Sequence, residues 1–164
     1  MSQTEVTMTE IEAARLDWTA EHRRSYLQSG GNKGHIIDFR EIGGRQFTTT
    51  LLLETTGRKT GLKRILPLIY GVTGGEVVIV ASKGGADIHP AWYVNLVGTS
   101  EVRFQIATQG FVGVWREPQG DERDQVWAFM ERLYPPYKDY KAATDRAIPL
   151  VMISTKEEIG VFSE

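Results

Sequence analysis

The chain of 164 residues contains no cysteine, which excludes disulfide bridges, a thiolate nucleophile and a cysteine-ligated metal. Its formal net charge is -2, whereas a general nucleic-acid binder usually carries a strong basic excess. No apolar run has the length of a membrane span, and the opening MSQTEVTMTE lacks the basic start and apolar core of a signal peptide. We therefore expect a cytoplasmic protein with no nucleic-acid partner and no integral membrane segment; peripheral membrane contact stays open.

Several chemical signatures are also missing. His22, His35 and His89 lack the spacing of metal ligands, so we expect no metal site. No serine lies in a nucleophile elbow. The run TGRKTG lacks the glycine that a nucleotide hydrolase places five residues before its Gly-Lys pair, and no G-x-G-x-x-G run occurs. These absences argue against a serine hydrolase, a nucleotide hydrolase with a phosphate-binding loop and a dinucleotide-binding protein with the usual glycine fingerprint.

The length and the 41% hydrophobic content fit one domain with a single well-filled core. Capping-box spacing and an apolar stripe predict a helix from Thr9 to about Leu27, and a glycine-rich connector follows from Gly30 to Gly44. We assign residues 1–46 to this helix and connector, and residues 47–164 to a strand-rich cofactor-binding part of the same structural domain.

Strand patterns dominate the chain from Phe47 onward. FTTTLLLETT predicts a buried strand, and Arg64 to Tyr70 and Glu76 to Ser82 predict two strands joined as a hairpin through GVTGG. VRFQIA and FVGVWRE predict a second hairpin, and IPLVMIS predicts a last strand. Adjacent hairpins favour a mostly antiparallel sheet, and about six short strands in one domain often close into a barrel.

Two helices are predicted between these strands. HPAWYVNLVG has Pro90 at its start and Gly98 just past its end, which is typical of a short helix. DERDQVWAFMERLY has an acidic first turn and apolar residues at helical spacing, and PPYKDY is expected to break it. The predicted fold class is therefore α+β, a barrel with flanking helices.

The run TGRKTGLKR concentrates positive charge in a nearly neutral chain. It contains Arg58, Lys59, Lys63 and Arg64, and no acidic residue occurs from Thr55 to Gly75. Glycines that allow backbone amides to approach an anion, together with guanidinium and ammonium groups, favour a local anion site. A solvated basic hairpin loop explains the spacing equally well.

Two further segments are candidate site elements. In ASKGGADIHPAW, Ser82, Lys83 and a glycine pair link a strand end to a helix start, where amides can bind anions or ring carbonyls. An ordinary loop before a capped helix is the simpler alternative. In LYPPYKDY, three tyrosines at a spacing of three could line a pocket and donate hydrogen bonds, or could serve packing alone.

Several motifs occur in order between about Thr50 and Ser154: LLLETTGRKTGLKR, PLIYG, VVIVASKGGADIHPAWYVNL, LYPPYKDY and TDRAIPLV. Together they closely resemble the deazaflavin-dependent nitroreductase family. The resemblance implies a split β-barrel similar to FMN-binding barrels and the use of coenzyme F420, a deazaflavin whose tail carries a phosphate and an oligoglutamate chain. It also implies hydride transfer from the reduced deazaflavin to an electron-poor acceptor such as a quinone, an enone or a nitroaromatic.

The resemblance further implies roles for individual residues. Expected contacts to the cofactor tail and phosphate are Arg58, Lys59, Thr60 and Arg64. Expected contacts along the ring and the short helix are Leu66, Pro67, Ser82, Lys83, Gly84, Gly85, Ala86, Ala91, Trp92 and Asn95. Tyr134, Tyr137 and Tyr140 are expected around the substrate, with Tyr137 as the preferred proton donor or anchor. Ile69 replaces a tyrosine of the nitroimidazole-activating member, so one substrate-shaping hydroxyl is absent.

Two other functions stay open from the sequence. A related barrel could use FMN, which has a phosphate but no glutamate tail and so does not require an extended basic surface. A binding protein could also hold a flavin-like ligand without catalysis. The oligomeric state is not indicated by any feature of the sequence.

Overall fold

The structure, a computed structural model, describes residues 19–163. The helices are α1, of which residues 19–28 are described, α2 (Ala91–Val97), α3 (Gly120–Leu133) and α4 (Pro136–Ala142). The strands are β1 (Ile36–Ile37), β2 (Thr48–Thr56), β3 (Lys63–Ile69), β4 (Gly71–Thr73), β5 (Glu76–Val80), β6 (Glu101–Ile106), β7 (Gln109–Arg116) and β8 (Leu150–Ile159). The predicted helix start at Thr9 lies outside the described residues.

The strands form one antiparallel sheet of 8 strands in the order β1-β2-β6-β7-β8-β5-β4, with β3 paired to β2. Strands β3 and β4 pair with one neighbour each, yet only Tyr70 separates them in the chain. Since consecutive residues are about 3.8 Å apart, the sheet must curl until these two edges meet. The predicted antiparallel barrel with helices is confirmed, and the strand count exceeds the predicted six because β1 and β4 are too short to show a pattern.

The predicted hairpin between the third and fifth strands is wrong. Gly71–Thr73 forms its own strand, β4, which turns through Gly74 and Gly75 to pair with β5. Strand β3 pairs instead with β2, where Leu52 lies opposite Pro67. The basic run therefore closes the β2–β3 hairpin. Because β3 has only one partner, it tolerates a proline that lacks the amide donor.

Strand β5 separates the two main clusters of buried side chains. Ile79 faces the barrel interior and packs in the same cluster as Phe104, whereas Val78 faces α3 and packs with Trp127 and Met130. Successive strand residues point to opposite faces, so a strand covered on both sides is apolar throughout. This explains why EVVIV shows no polar alternation, and it fixes α3 and α4 on one side of the sheet.

Helix α1 packs on the outside of the barrel through Tyr26, which is 0% exposed. The Tyr26 hydroxyl donates to the Thr50 carbonyl at 2.9 Å and accepts from the Ala107 amide at 2.9 Å. A buried tyrosine hydroxyl that is satisfied in this way stabilises its position. Among residues 19–163, no helix is long and apolar enough to cross a membrane.

The segment PPYKDY was predicted to break helix α3, and this is only partly correct. Helix α3 ends at Leu133, but the chain re-enters a helix, α4, with Pro136 as its first residue. Proline is tolerated in a first helical turn because the amide there has no intrahelical acceptor. As a result, Tyr137 and Tyr140 lie about one turn apart on α4, where neighbouring positions share a face.

Candidate functional site

A cavity of about 590 Å³ lies between strand β3, the loop after β5, the start of α2 and the helices α3 and α4. Nine of the predicted site residues line it: Leu66, Pro67, Ser82, Lys83, Gly84, Trp92, Tyr134, Tyr137 and Tyr140. The structure thus brings the ring-side residues and the tyrosines to one place. Their roles toward a ligand stay predictions.

The loop Ser82–Ala86 has an unusual backbone. Lys83, Gly84 and Gly85 have φ values of 46°, 63° and 85°, which is the left-handed region. A non-glycine residue such as Lys83 pays about 1–2 kcal/mol there, and such strain is commonly found at functional sites. A Cβ on Gly85 would lie 3.0 Å from the Cα and carbonyl oxygen of Tyr140, so the loop packs directly against α4.

The hydrogen bonds of this loop leave backbone donors available. The amides of Gly85 and Ala86 donate to the carbonyls of Ser82 and Lys83, at 2.9 and 3.2 Å. The amides of Lys83 and Gly84 have no acceptor among residues 19–163. Lys83 and Gly84 are exposed residues that line the cavity, so their amides are open to water and are available to a ligand oxygen.

The three tyrosines form a neighbouring part of the cavity wall. Their ring centroids are 4.9 Å apart for Tyr134 and Tyr137, and 6.1 Å apart for Tyr137 and Tyr140. Burial, more than the neighbouring tyrosines, raises the pKa of Tyr137 well above its ordinary value. Burial and a hydrogen bond with Tyr140 also raise the pKa of Tyr134. Both hydroxyls therefore stay protonated at neutral pH and act as hydrogen-bond donors.

The basic loop, residues Gly57 to Arg64, lies outside this cavity. Arg58, Lys59 and Arg64 are exposed, as is Lys63, and none of the four forms an ion pair with a carboxylate in the described part of the chain. The Arg58 amide donates to Asn95 Oδ1 at 3.3 Å. Asn95 lies one turn after the cavity residue Trp92 on α2, so this helix connects the cavity to the loop.

The remaining predicted residues fall into two groups. Arg58, Lys59, Thr60 and Arg64 belong to the basic loop or the start of β3, and Asn95 contacts that loop. Gly85, Ala86 and Ala91 shape the loop and the start of α2 but do not line the cavity. Sequence patterns alone therefore did not separate residues that line the cavity from residues that hold its walls.

Some residues at the site were not predicted. Thr19 and His22 of α1, with Phe39 and Thr50, line the cavity beside the tyrosines. His22 Nε2 donates to the Gly34 carbonyl at 2.7 Å, and burial lowers its pKa. A helix and a connector distant in sequence provide no spacing signal for a shared cavity. Within residues 19–163, no group of acidic, histidine or cysteine side chains is arranged to hold a metal ion.

A cavity lined by tyrosines and by a loop whose Lys83 and Gly84 amides have no acceptor within residues 19–163, on a split barrel that also carries a cationic loop, fits a planar redox cofactor with an anionic tail. The family described as F420H(2)-dependent quinone reductase matches residues 18–155 of the chain. An F420H(2)-dependent quinone reductase of Mycobacterium tuberculosis strain H37Rv is 36% identical over 139 residues, which cover 82% of this chain and 88% of that protein.

Solved structures support the same assignment. One described as an F420-H2 dependent reductase (FDR-A) has a TM-score of 0.58 and 38% identity, over 64% of this chain and 93% of that one. Another, described as a domain-swapped dimer, has a TM-score of 0.61 and 34% identity, over 85% of this chain and 99% of that one. The chain belongs to the F420H(2)-dependent quinone reductase family, whose members are oxidoreductases that use coenzyme F420.

The likeness extends to more distant barrels. A heme storage protein of Vibrio cholerae, HutZ, has a TM-score of 0.52 at 14% identity, over 70% of this chain and 87% of that one. At such low identity the match concerns the fold alone. The split barrel is therefore shared by proteins described as having different functions, and function depends on the residues of the site rather than on the fold.

Proposed function

We propose that the cavity holds the deazaflavin ring of coenzyme F420 and a quinone, and that the basic loop holds the tail of the cofactor. The observation that carries this proposal is a cavity lined both by Lys83 and Gly84, whose amides have no acceptor among residues 19–163, and by Tyr134, Tyr137 and Tyr140. We call the loop Ser82–Ala86 with the three tyrosines the ring end, and residues 57–64 the tail end. Bound F420H2 would supply a hydride, which carries both electrons, and the proton released as the cofactor is oxidised balances the proton that the quinone takes up to become a hydroquinone.

At the ring end, the protein binds the deazaflavin ring and orients it. The left-handed turn at Lys83 and Gly84 presents amides to ring oxygens without a side chain in between, which glycine permits. Leu66 and Trp92 provide apolar surface for a planar ring. The predicted ring contacts Gly85, Ala86 and Ala91 act, in this proposal, by holding the loop and the helix rather than by touching the cofactor.

At the tail end, the cations attract the anionic tail of the cofactor and neutralise its charge. Four exposed cations without carboxylate partners in the described chain fit a ligand with a phosphate and several carboxylates. FMN carries only a phosphate, so it would use a smaller part of this surface. For this reason we favour F420 over FMN, although both rings would fit against the same loop.

We assign to Tyr137 the role of hydrogen-bond donor to the quinone. Its side chain is 4% exposed and lines the cavity, and no hydrogen-bond partner of its hydroxyl lies among residues 19–163. Because burial raises its pKa, release of its proton is costly, while donation of a hydrogen bond is not. The anchor role is therefore favoured over full proton donation. Tyr134 and Tyr140 support its ring by edge contacts.

The direct test is a titration of the purified protein with F420 and, separately, with FMN, followed by fluorescence. We expect F420 to bind and FMN to bind at least about tenfold more weakly, since each well-formed charged contact contributes about 1.5–3 kcal/mol. Equal or tighter FMN binding would contradict the proposed cofactor.

The second arm of the test is turnover of a water-soluble benzoquinone with F420H2. Oxidation of F420H2 that depends on both enzyme and quinone is expected. Tight F420 binding without turnover of quinone, enone or nitroaromatic acceptors would favour the alternative, a carrier of the cofactor. The same assay with reduced FMN separates the two cofactor classes.

A further inference from the structure

Arg146 makes an unusual set of contacts beside the ring end. Its guanidinium donates from Nε to the Ala86 carbonyl at 2.6 Å, from Nη2 to the Ser82 carbonyl at 2.7 Å and from Nη1 to the Ala81 carbonyl at 3.2 Å. Nη1 also donates to His89 Nδ1 at 3.0 Å. One side chain thus holds both ends of the loop that lines the cavity.

The charge of Arg146 has no carboxylate partner in the part of the chain that the structure describes. The nearby Asp87 carboxylate accepts from the Thr144 hydroxyl at 2.8 Å instead. The guanidinium charge is therefore stabilised by the dipoles of backbone carbonyls, and Arg146 does not line the cavity. Hydrogen bonds to a charged group are about twice as strong as neutral ones, so this arrangement is a strong constraint on the backbone.

The direction of these bonds matters for the cavity. In a trans peptide the carbonyl and the amide point in opposite directions. Arg146 holds the carbonyls of Ala81 and Ser82, so the amides of the same two peptide groups, those of Ser82 and Lys83, point away from the guanidinium. Ser82 and Lys83 both line the cavity. A cation at the carbonyl end of a peptide group also polarises it and strengthens the amide as a donor.

We propose that Arg146 is a positioning residue that fixes and polarises the Ser82–Ala86 loop, so that its amides are presented to the ring oxygens of the cofactor. This inference rests on the proposed function for the identity of the ligand. The set of hydrogen bonds that Arg146 makes to this loop, which we call the clamp, is present in the chain without ligand. Its signature is loss of affinity for the cofactor without loss of affinity for the quinone.

The first test is hydrogen exchange on the cofactor-free protein. Arg146→Lys keeps the charge but cannot reach three carbonyls and an imidazole with one ammonium group. We expect exchange at Gly85 and Ala86, whose amides donate within the loop, to become about tenfold faster. Arg123→Lys is the matched control, because Arg123 is also partly buried and donates to a backbone carbonyl, that of Ile148, at 2.7 Å.

The second test uses the same variants with F420. We expect Arg146→Lys to raise the dissociation constant of F420 about tenfold and to leave the KM for a benzoquinone within about twofold, whereas Arg123→Lys changes neither. The absorption shift of F420 on binding should shrink in Arg146→Lys, because ring oxygens lose donors. For Arg146→Ala, added methylguanidinium should restore affinity and ammonium should not.

The outcomes separate the clamp from the proposed function. Wild-type loop exchange together with wild-type F420 affinity in Arg146→Lys would overturn the clamp. Faster exchange spread over the whole chain, or matched by Arg123→Lys, would also overturn it, since the effect would then be general destabilisation. If the wild-type protein bound no F420, the proposed function would fail, while the exchange experiment would still decide the clamp.

Discussion

The ring end and the tail end hold their polar groups in different ways. At the ring end, the loop is fixed by internal hydrogen bonds, by Arg146 and by contact between Gly85 and Tyr140. At the tail end, the cations are exposed, and in the described chain they have no carboxylate partner. A rigid ring places a reacting atom and needs a preorganised wall, whereas a flexible anionic tail needs charge without fixed geometry. Substitutions should therefore have large, local effects at the ring end and small, shared effects at the tail end.

The largest effect is expected for Gly85→Ala. Its φ of 85° is unfavourable for alanine, and the new Cβ would lie 3.0 Å from the Tyr140 backbone. We expect a loss of about 2 kcal/mol or more in the free energy of unfolding, and a loss of F420 affinity of at least about tenfold. Gly84→Ala is the control, because its φ of 63° carries a similar strain but no atom lies within 4 Å.

Thermal unfolding and F420 titration of both glycine variants measure this difference. Equal losses in the two variants would show that backbone strain alone matters. The packing of the loop against α4 would then contribute nothing to stability or to F420 affinity.

Tyr137→Phe should have the second-largest effect. Removal of the hydroxyl removes the proposed anchor for the quinone but leaves the ring packed against Tyr134 and Tyr140. We expect turnover to fall about ten- to a hundredfold, with F420 affinity within about twofold of wild type. Tyr70→Phe is the control, since its hydroxyl lies 2.7 Å from His35 Nε2 and not at the cavity. An unchanged rate for Tyr137→Phe with several quinones would show that this residue serves packing alone.

At the tail end, single substitutions should have small effects that add up. We expect Lys59→Ala to weaken F420 binding about threefold, because a flexible tail can shift to Arg58 or Arg64. The double change of Lys59 and Arg58 to alanine should weaken it about tenfold. Lys156→Ala, which removes an exposed cation paired with Glu101, should leave affinity unchanged. Equal weakening by Lys156→Ala would mean that only net charge matters.

The protein should lose folding stability gradually at alkaline pH. Burial, with the Glu117 carboxylate nearby, raises the pKa of Tyr93 to about 12. A group whose pKa is raised by folding stabilises the protein below its unfolded pKa of about 10, and this stability is lost as pH rises toward 12. Tyr134 and Tyr137 shift in the same direction. We expect chemical denaturation midpoints to fall between pH 10 and 12, and phenolate absorbance at pH 10 well below that of the unfolded chain.

Much of the fold was predictable from patterns of apolar residues. Strands β2, β6, β7 and β8 and helix α3 are long enough for periodicity to show, so they appear near the predicted positions. Pairing between β3 and β2 was not predictable, because apolar runs on both sides of a turn do not specify which neighbour they join. Strand β4 has only three residues, too few for a period of two to be recognised.

The site was predictable in its chemistry but not in its geometry. Ser82, Lys83 and Gly84 were identified through glycine and charge, and they line the cavity, while their contact with a cofactor ring stays a prediction. Arg146 was part of a quoted motif, but no spacing rule links it to a loop 60 residues earlier. His22 lines the cavity from α1 for the same reason: contacts between distant segments depend on closure of the barrel.

We propose that the protein divides cofactor recognition between a rigid ring end and an electrostatic tail end. The most direct measurement is the dissociation constant of F420 and of a tailless deazaflavin as ionic strength rises from about 0.01 M to about 1 M, where the Debye length shrinks from about 30 Å to about 3 Å. We predict that F420 affinity falls about tenfold or more, while affinity for the tailless analogue stays nearly constant. Equal salt dependence for both ligands would contradict it, because the basic loop would then act on the ring.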